Sequence, residues 1–202
     1  MKENGYEYVD LGLPSKTMWA TCNVGETKPE DSGLLFQFGR VDGYKYDDRK
    51  NKFKTIKQNI KDTGNKHITL TASGKTYKTG EILDLDDDAA HVNMGGAWKM
   101  PTKDQLEELY DNTTQRVETI NGVQCMVFTS NINGHQLFIP FAGFWYDDKF
   151  IPAGYIVFVW SFQVHASYID SAYVLYGYLD RNVSVDNYLR SFAFPVRGVF
   201  RK

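Results

Sequence analysis

The sequence predicts an α+β domain, a mixed and mostly antiparallel sheet with two helices and long loops. Three observations point there. Short β-rich runs alternate with turn residues from Gln136 onward, and a capped amphipathic helix stands out at 102–112. The chain of 202 residues is long enough for one large domain over 1–202 to bury a core without staples.

Residues 6–24 read as strand, turn and strand. Tyr8, Val9 and Leu11 lead into Gly12-Leu13-Pro14-Ser15, and Met18-Trp19-Ala20 resume the apolar pattern. Pro29-Glu30-Asp31 has the composition of a first helical turn, with proline where no amide partner is needed and acids at the positive helix end. That predicts a short helix ending at Gly39. Residues 45–80 change character: Lys45, Lys50, Lys52, Lys54, Lys57, Lys61 and Lys66 mix with Asp47, Asp48 and Asp62, and large apolar residues are sparse. The balancing aspartates favour a solvated surface insertion over a nucleic-acid patch.

The helix at 102–112 carries its own start signal. Thr102 and Gln105 have capping-box spacing, with Pro101 holding the entry extended. Leu106, Leu109 and Tyr110 share one face and are expected to pack on the sheet. Beyond it, 137–139, 155–160, 172–179, 182–185 and 194–200 read as strands, separated by Gly143, Pro152-Ala153-Gly154, Asp170-Ser171 and Asp186-Asn187.

Composition excludes several classes. Net charge is −2, so nothing draws the whole molecule to nucleic acid or to an anionic membrane. No apolar run approaches the roughly 20 residues of a membrane-spanning helix. The first residues lack the apolar core of a secretory signal, leaving an intracellular or virion product, or a chain trimmed of its export signal. Cys22 and Cys125 are too few for a disulfide framework and read as free thiols. No nucleophile elbow, zinc-protease pair or phosphate loop occurs. His67, His91, His135 and His165 are scattered, and the acids Asp84, Asp86, Asp87 and Asp88 lack the glycine turn and distal glutamate of a calcium loop. They read as a solvated turn with an aspartate capping a short helix. The expectation is a non-enzyme with no catalytic residue, metal or cofactor.

Three stretches carry a resemblance. They are Tyr8-Val9-Asp10-Leu11-Gly12-Leu13-Pro14-Ser15 with Trp19-Ala20-Thr21-Cys22-Asn23-Val24-Gly25; Asp87-Asp88-Ala89-Ala90-His91 with Gly95-Gly96-Ala97-Trp98-Lys99-Met100-Pro101-Thr102; and Trp160-Ser161 with Phe194-Pro195-Val196-Arg197. Together they resemble a surface-protein domain of gut Bacteroidetes and their phages, and the resemblance implies a C-type-lectin-like fold. Met94 and Gly198 stand where that family often has Trp and Pro. The sugar-binding triplets of calcium-dependent lectins are missing, and no cysteine follows Cys125, so neither lectin nor sulfatase-activating chemistry carries over.

The last quarter is similar to the variable proteins of diversity-generating retroelements. In those systems an asparagine-rich template is copied with errors at adenines, so an AAC codon reaches Tyr, Ser, His, Asp, Phe, Val, Ile or Leu but never Lys, Glu, Met, Gln or Trp. Lys, Glu and Met number 28 over residues 1–149 and none over 150–201. Gln163 and Trp160 would then be framework.

Residues 141–200 also hold 17 of the chain's 30 Phe, Trp and Tyr. Tyrosine gives large contact area with few rotamers to freeze, as in antibody loops. The resemblance and this composition together imply a variable region over 154–200. Its ligand-binding positions are Tyr155, Val157, Val159, Phe162, Val164, His165, Tyr168, Ile169, Val174, Tyr176, Tyr178, Ser184, Asp186, Tyr188, Leu189, Ser191 and Phe192. These are expected on one exposed surface, with Tyr168, Tyr176 and Tyr188 dispensable for stability. Trp160, Leu175, Val183, Val185, Arg190 and Arg197 are expected to form the scaffold. The partner expected is a protein or cell-surface ligand, with the molecule on a cell surface or phage particle. The alternative is a non-diversified surface or carbohydrate-binding adhesin domain.

Overall fold

The computed structural model describes residues 1–45, 60–62, 67–146, 149–180 and 183–202. It is an α+β protein in which every strand pairing among the described residues is antiparallel. The strands run β1 (Lys2–Glu3), β2 (Tyr6–Asp10), β3 (Thr17–Asn23), β4 (Leu35–Gln37), β5 (Ile60–Asp62), β6 (His67–Thr69), β7 (Thr113–Ile120) and β8 (Val123–Ser130). They continue as β9 (Gln136–Pro140), β10 (Phe144–Tyr146), β11 (Lys149–Ile151), β12 (Ile156–Val164), β13 (Ser171–Tyr178), β14 (Ser184–Leu189), β15 (Ala193–Pro195) and β16 (Arg197–Arg201). Two helices, α1 (Ala89–Met94) and α2 (Lys103–Asp111), lie between β6 and β7. Most of the lysines and aspartates singled out in 45–80, and Asn182 of the expected strand 182–185, lie outside the described residues.

Two four-stranded sheets have the orders β1-β2-β3-β16 and β11-β10-β15-β4, and two three-stranded sheets have β12-β13-β14 and β7-β8-β9. The pairing of β16 with β3 ties the last strand to the first long one. The β12-β13-β14 sheet divides the core. Its even-numbered side chains Phe158, Trp160, Ala172 and Val174 join Phe36, Phe38, Phe144 and Phe194 on one side. Its odd-numbered Val157, Val159, Leu175 and Val183 meet Leu106 and Leu109 of α2 on the other, with Trp19 and Phe128. Alternation along each strand therefore places apolar groups on both faces.

Helix α2 starts as its sequence dictates. The Thr102 hydroxyl accepts from the Gln105 amide at 3.0 Å, and the Gln105 side chain accepts from the Thr102 amide at 2.9 Å. Both orphan donors of the helix entry are thus satisfied.

The acids before α1 are less solvated than expected. Asp84 and Asp86 are exposed, but Asp87 and Asp88 are buried. Asp87 accepts from the Ser73 amide and hydroxyl and from the Tyr77 hydroxyl. Asp88 caps α1 by accepting from the His91 amide at 2.9 Å and also takes the Met100 amide at 2.9 Å. Burial raises the Asp88 pKa above the usual carboxylate value, while the amides pull it back. The folded state then holds the proton at pH values where the unfolded chain has lost it. Stability contributed at this site declines as pH rises from about 3.9, the unfolded value, through the raised folded one. Asp88→Asn should keep an acceptor and flatten that decline. Asp88→Ala should cost about 1–2 kcal/mol in urea unfolding, because it orphans two amides.

The Gly95-Gly96-Ala97-Trp98 stretch has a steric reason. Gly95 and Gly96 have φ of 67° and 59°, and a Cβ on Gly95 would stand 2.8 Å from Asn4 Nδ2. Close approach to the β1–β2 turn lets the buried Trp98 indole donate to the Glu3 carbonyl at 2.9 Å. Met94 and Gly198 also touch: a Cβ at Gly198 would meet the Met94 sulfur at 2.7 Å and Trp98 at 3.0 Å. The two positions are thus packed against each other.

Two further expectations are corrected. Residues 29–39 form a turn and then β4 instead of a helix. Gly33 sits at φ 77°, where a Cβ would stand 2.6 Å from Asn23 Cβ, and Leu34 donates to the Val24 carbonyl, so the chain is pulled alongside β3 before a helical turn can close. The hairpin β7–β8 was not foreseen, although Asn121 and Gly122 take φ of 49° and 85° at its tip. Asn-Gly is the dipeptide such a two-residue turn requires.

Candidate binding face

Even-numbered side chains of β13 and β14 lie on one face, where Tyr176 pairs with Ser184, Val174 with Asp186, and Ala172 with Tyr188. The tyrosine rings lean toward each other across Val174. The Tyr176 and Tyr188 centroids are 5.7 Å apart, and those of Tyr176 and Tyr178 are 6.0 Å apart at 89°. Tyr188 continues to Phe192 at 6.0 Å, and Phe192 to Tyr146 at 5.1 Å. Five rings thus form one run from the end of β13 to β10, with Ser184 and Asp186 exposed beside it. Beneath them lie Phe158 and Phe194, 5.2 Å and 5.5 Å from Tyr188. Burial first, and then the Tyr178 and Tyr176 hydroxyls and Asp186, raise the Tyr188 pKa. The phenol is neutral at physiological pH, so the face presents rings and hydroxyls with one carboxylate at its edge.

The seventeen expected positions do not converge on one surface. Tyr176, Tyr178, Ser184, Asp186, Tyr188 and Phe192 belong to the face just described. His165, Tyr168, Ile169 and Leu189 gather at the opposite end of β13. There the rings of His165 and Tyr168 stack at 4.9 Å and 10°, and His165 meets Tyr173 at 4.8 Å. Tyr173 is odd-numbered and lies under the Lys103 ammonium of α2, so this second cluster is on the other side of the sheet. Tyr155, 63% exposed, immediately precedes β12. Phe162 stands apart, lining a groove of about 490 Å³ with Lys99, Met100 and Arg201.

Five positions are corrected outright. Val157, Val159, Val164, Val174 and Ser191 are buried, at 0–1% exposure. Val157 and Val159 face α2, while Val164 and Val174 face the Phe158–Phe194 layer. Ser191 lies under β4, its carbonyl accepting from Gln37. A sheet covered on both sides leaves such positions no solvent to meet. Tyr146 was missed by sequence reasoning because it precedes residues 154–200, the stretch expected to bind. The signal was present in Phe144-Trp145-Tyr146, an aromatic run ending at the exposed residue.

The scaffold residues lie in or against the core. Trp160, Leu175, Val183, Arg190 and Arg197 are buried, and Val185 packs on the odd-numbered side. Arg197 donates to Asn23 Oδ1, the Ala20 carbonyl and the Phe138 carbonyl at 3.0–3.1 Å. Arg190 donates to the Ile169 carbonyl and lies over the Phe38 ring. Burial pushes both guanidinium pKa values down to about 10, so they stay charged at neutral pH.

Cys22 and Cys125 are free thiols, and burial raises Cys125 to about 11. Among the described residues no group of three or more His, Cys, Asp or Glu could hold a metal ion, and no helix is long and apolar enough to cross a membrane. No family model, curated protein or solved structure matches this chain.

Proposed function

We propose that this chain is a ligand-binding display protein of C-type-lectin-like fold, without catalytic activity, whose C-terminal region is diversified to bind protein or cell-surface targets. The observation that carries the reading is the run of rings from Tyr178 through Tyr176, Tyr188 and Phe192 to Tyr146. It is drawn largely from a stretch of 52 residues that holds no Lys, Glu or Met even in its exposed turns. The lectin-like assignment rests on the three motif stretches, and the pairing of the last strand with β3 and the two helices are compatible with it.

The buried valines narrow the diversified set. Random replacement is tolerated only where a side chain is not fully buried, since a buried polar replacement costs several kcal/mol. The variable positions on this reading are Tyr155, Phe162, His165, Tyr168, Ile169, Tyr176, Tyr178, Ser184, Asp186, Tyr188, Leu189 and Phe192. The deciding experiment is sequencing of the locus. A near-identical copy of the 3′ coding segment beside a reverse transcriptase gene, differing at adenines, is the expected result. Sibling genes with Lys or Glu at these positions would overturn it.

The second reading is a non-diversified carbohydrate-binding surface domain. It is favoured by flat rings next to the polar Ser184 and Asp186, which could stack on and hydrogen-bond a sugar. Oligosaccharide binding lost on Tyr176→Ala, in a family with fixed residues here, would select it.

Stability separates the two exposed clusters. Tyr188 and Tyr176 cover Phe158 and Val174, so Tyr188→Ala should cost about 1–2 kcal/mol in thermal or urea unfolding. Tyr168 is 57% exposed. Its truncation should stay within about 0.5 kcal/mol.

A further inference from the structure

Among the described residues, the charge on the tyrosine end of the face is one-sided. Asp186 is exposed at the free edge of β14, and Asp180 is exposed at the turn after β13. Of the described arginines in this stretch, Arg190 and Arg197 are sunk in the core, and Arg201 lines the groove beside Phe162. Lys149 pairs with Tyr146, at the far end of the run. The Asp186 carboxylate is also held in place. Its Oδ1 accepts from the Asn187 backbone amide at 2.8 Å and from Asn187 Nδ2 at 3.0 Å. Oδ2 has no partner among the described residues. A tethered carboxylate with one oxygen open therefore stands on the same face as Tyr188, two residues along β14, and Tyr176 on the neighbouring β13, whose rings are inclined at 67°.

We propose that Tyr176, Tyr188 and Asp186 receive an arginine side chain of a polypeptide partner. The inference deepens the binding-face reading and rests on it. A guanidinium lies flat on a tyrosine face, attracted by the ring quadrupole, while its edge donates to a carboxylate. It is also more weakly hydrated than an ammonium, which favours it on a half-desolvated aromatic surface. The charge-assisted bond to Asp186 Oδ2 would fix its direction.

The test titrates the full chain with acetyl-Gly-Arg-Gly-amide, and with the same peptide carrying lysine or neutral citrulline. Tyrosine ring resonances are followed by NMR. The arginine peptide should move the Tyr176 and Tyr188 signals saturably, with the citrulline peptide about tenfold weaker. Asp186→Asn, which retains an acceptor for Asn187, should weaken the arginine peptide severalfold and leave the citrulline peptide unchanged. Equal affinity for arginine and citrulline overturns the charge assignment and leaves the face as a binding surface. Equal affinity for lysine overturns the guanidinium assignment. Absence of any tyrosine response, with a diversifying coding repeat found at the locus, overturns this inference alone. Absence of that repeat is the separate failure of the functional reading.

Discussion

Replacing Trp160 by alanine should destabilise the protein by about 3–5 kcal/mol, enough to unfold much of a domain of ordinary stability. The indole is fully buried at the point where β12 meets the β4–β15 sheet. Its Nε1–H donates to the Phe36 carbonyl at 2.8 Å, and its ring meets Phe38 at 5.9 Å and Phe194 at 4.6 Å. Alanine removes the apolar body, leaves a cavity between two sheets, and orphans a buried carbonyl. Trp160→Phe should recover much of the packing but not the hydrogen bond, falling between the two. Urea unfolding at constant m-value measures the series. A loss under about 1 kcal/mol for alanine would mean that the sheets close over the site without the indole.

The parts of the fold legible in the sequence were those with a local mechanism. Thr102 and Gln105 announce α2 because a cap needs only four residues to be read. Where the decision was made at a distance, local signs misled. Pro29-Glu30-Asp31 is a sound helix start, yet Gly33 packs on Asn23 and Leu34 bonds to Val24, so tertiary contact prevailed. The β7–β8 hairpin escaped for the opposite reason. Its Asn121-Gly122 tip is a strong local signal, but Thr113 to Ile120 carry few apolar residues and show little of the alternation that marks a strand.

The binding face was half legible. Composition singled out the segment, but the seventeen positions expected on one surface divide between two clusters, the core and two isolated sites. Alternation could not say which side meets solvent, because Val157 and Leu175 on one face are as apolar as Trp160 and Val174 on the other. The run of rings also borrows Tyr146 from a strand outside the segment, a juxtaposition set by the β10–β15 pairing.

Val174 and Asp186 are register partners on β13 and β14, and they should respond oppositely to the same substitution. On the proposed reading, asparagine is the residue an unmutated template codon would encode, so it is the natural probe of which positions can vary. Asp186→Asn should stay within about 0.5 kcal/mol, because the side chain is exposed and keeps its acceptor. Val174→Asn should cost about 3–5 kcal/mol. The valine is fully buried against Trp160 in register, with the Tyr176 and Tyr188 rings closing over it. Asparagine there forfeits roughly 1.5–3 kcal/mol of side-chain burial. It also brings an amide into a layer of aromatic rings that offers it no partner, at about 1–3 kcal/mol more. Urea midpoints for the two variants, measured side by side, decide the matter. If Val174→Asn is as mild as Asp186→Asn, the rings open to admit water, and Val174 returns to the set of positions free to vary.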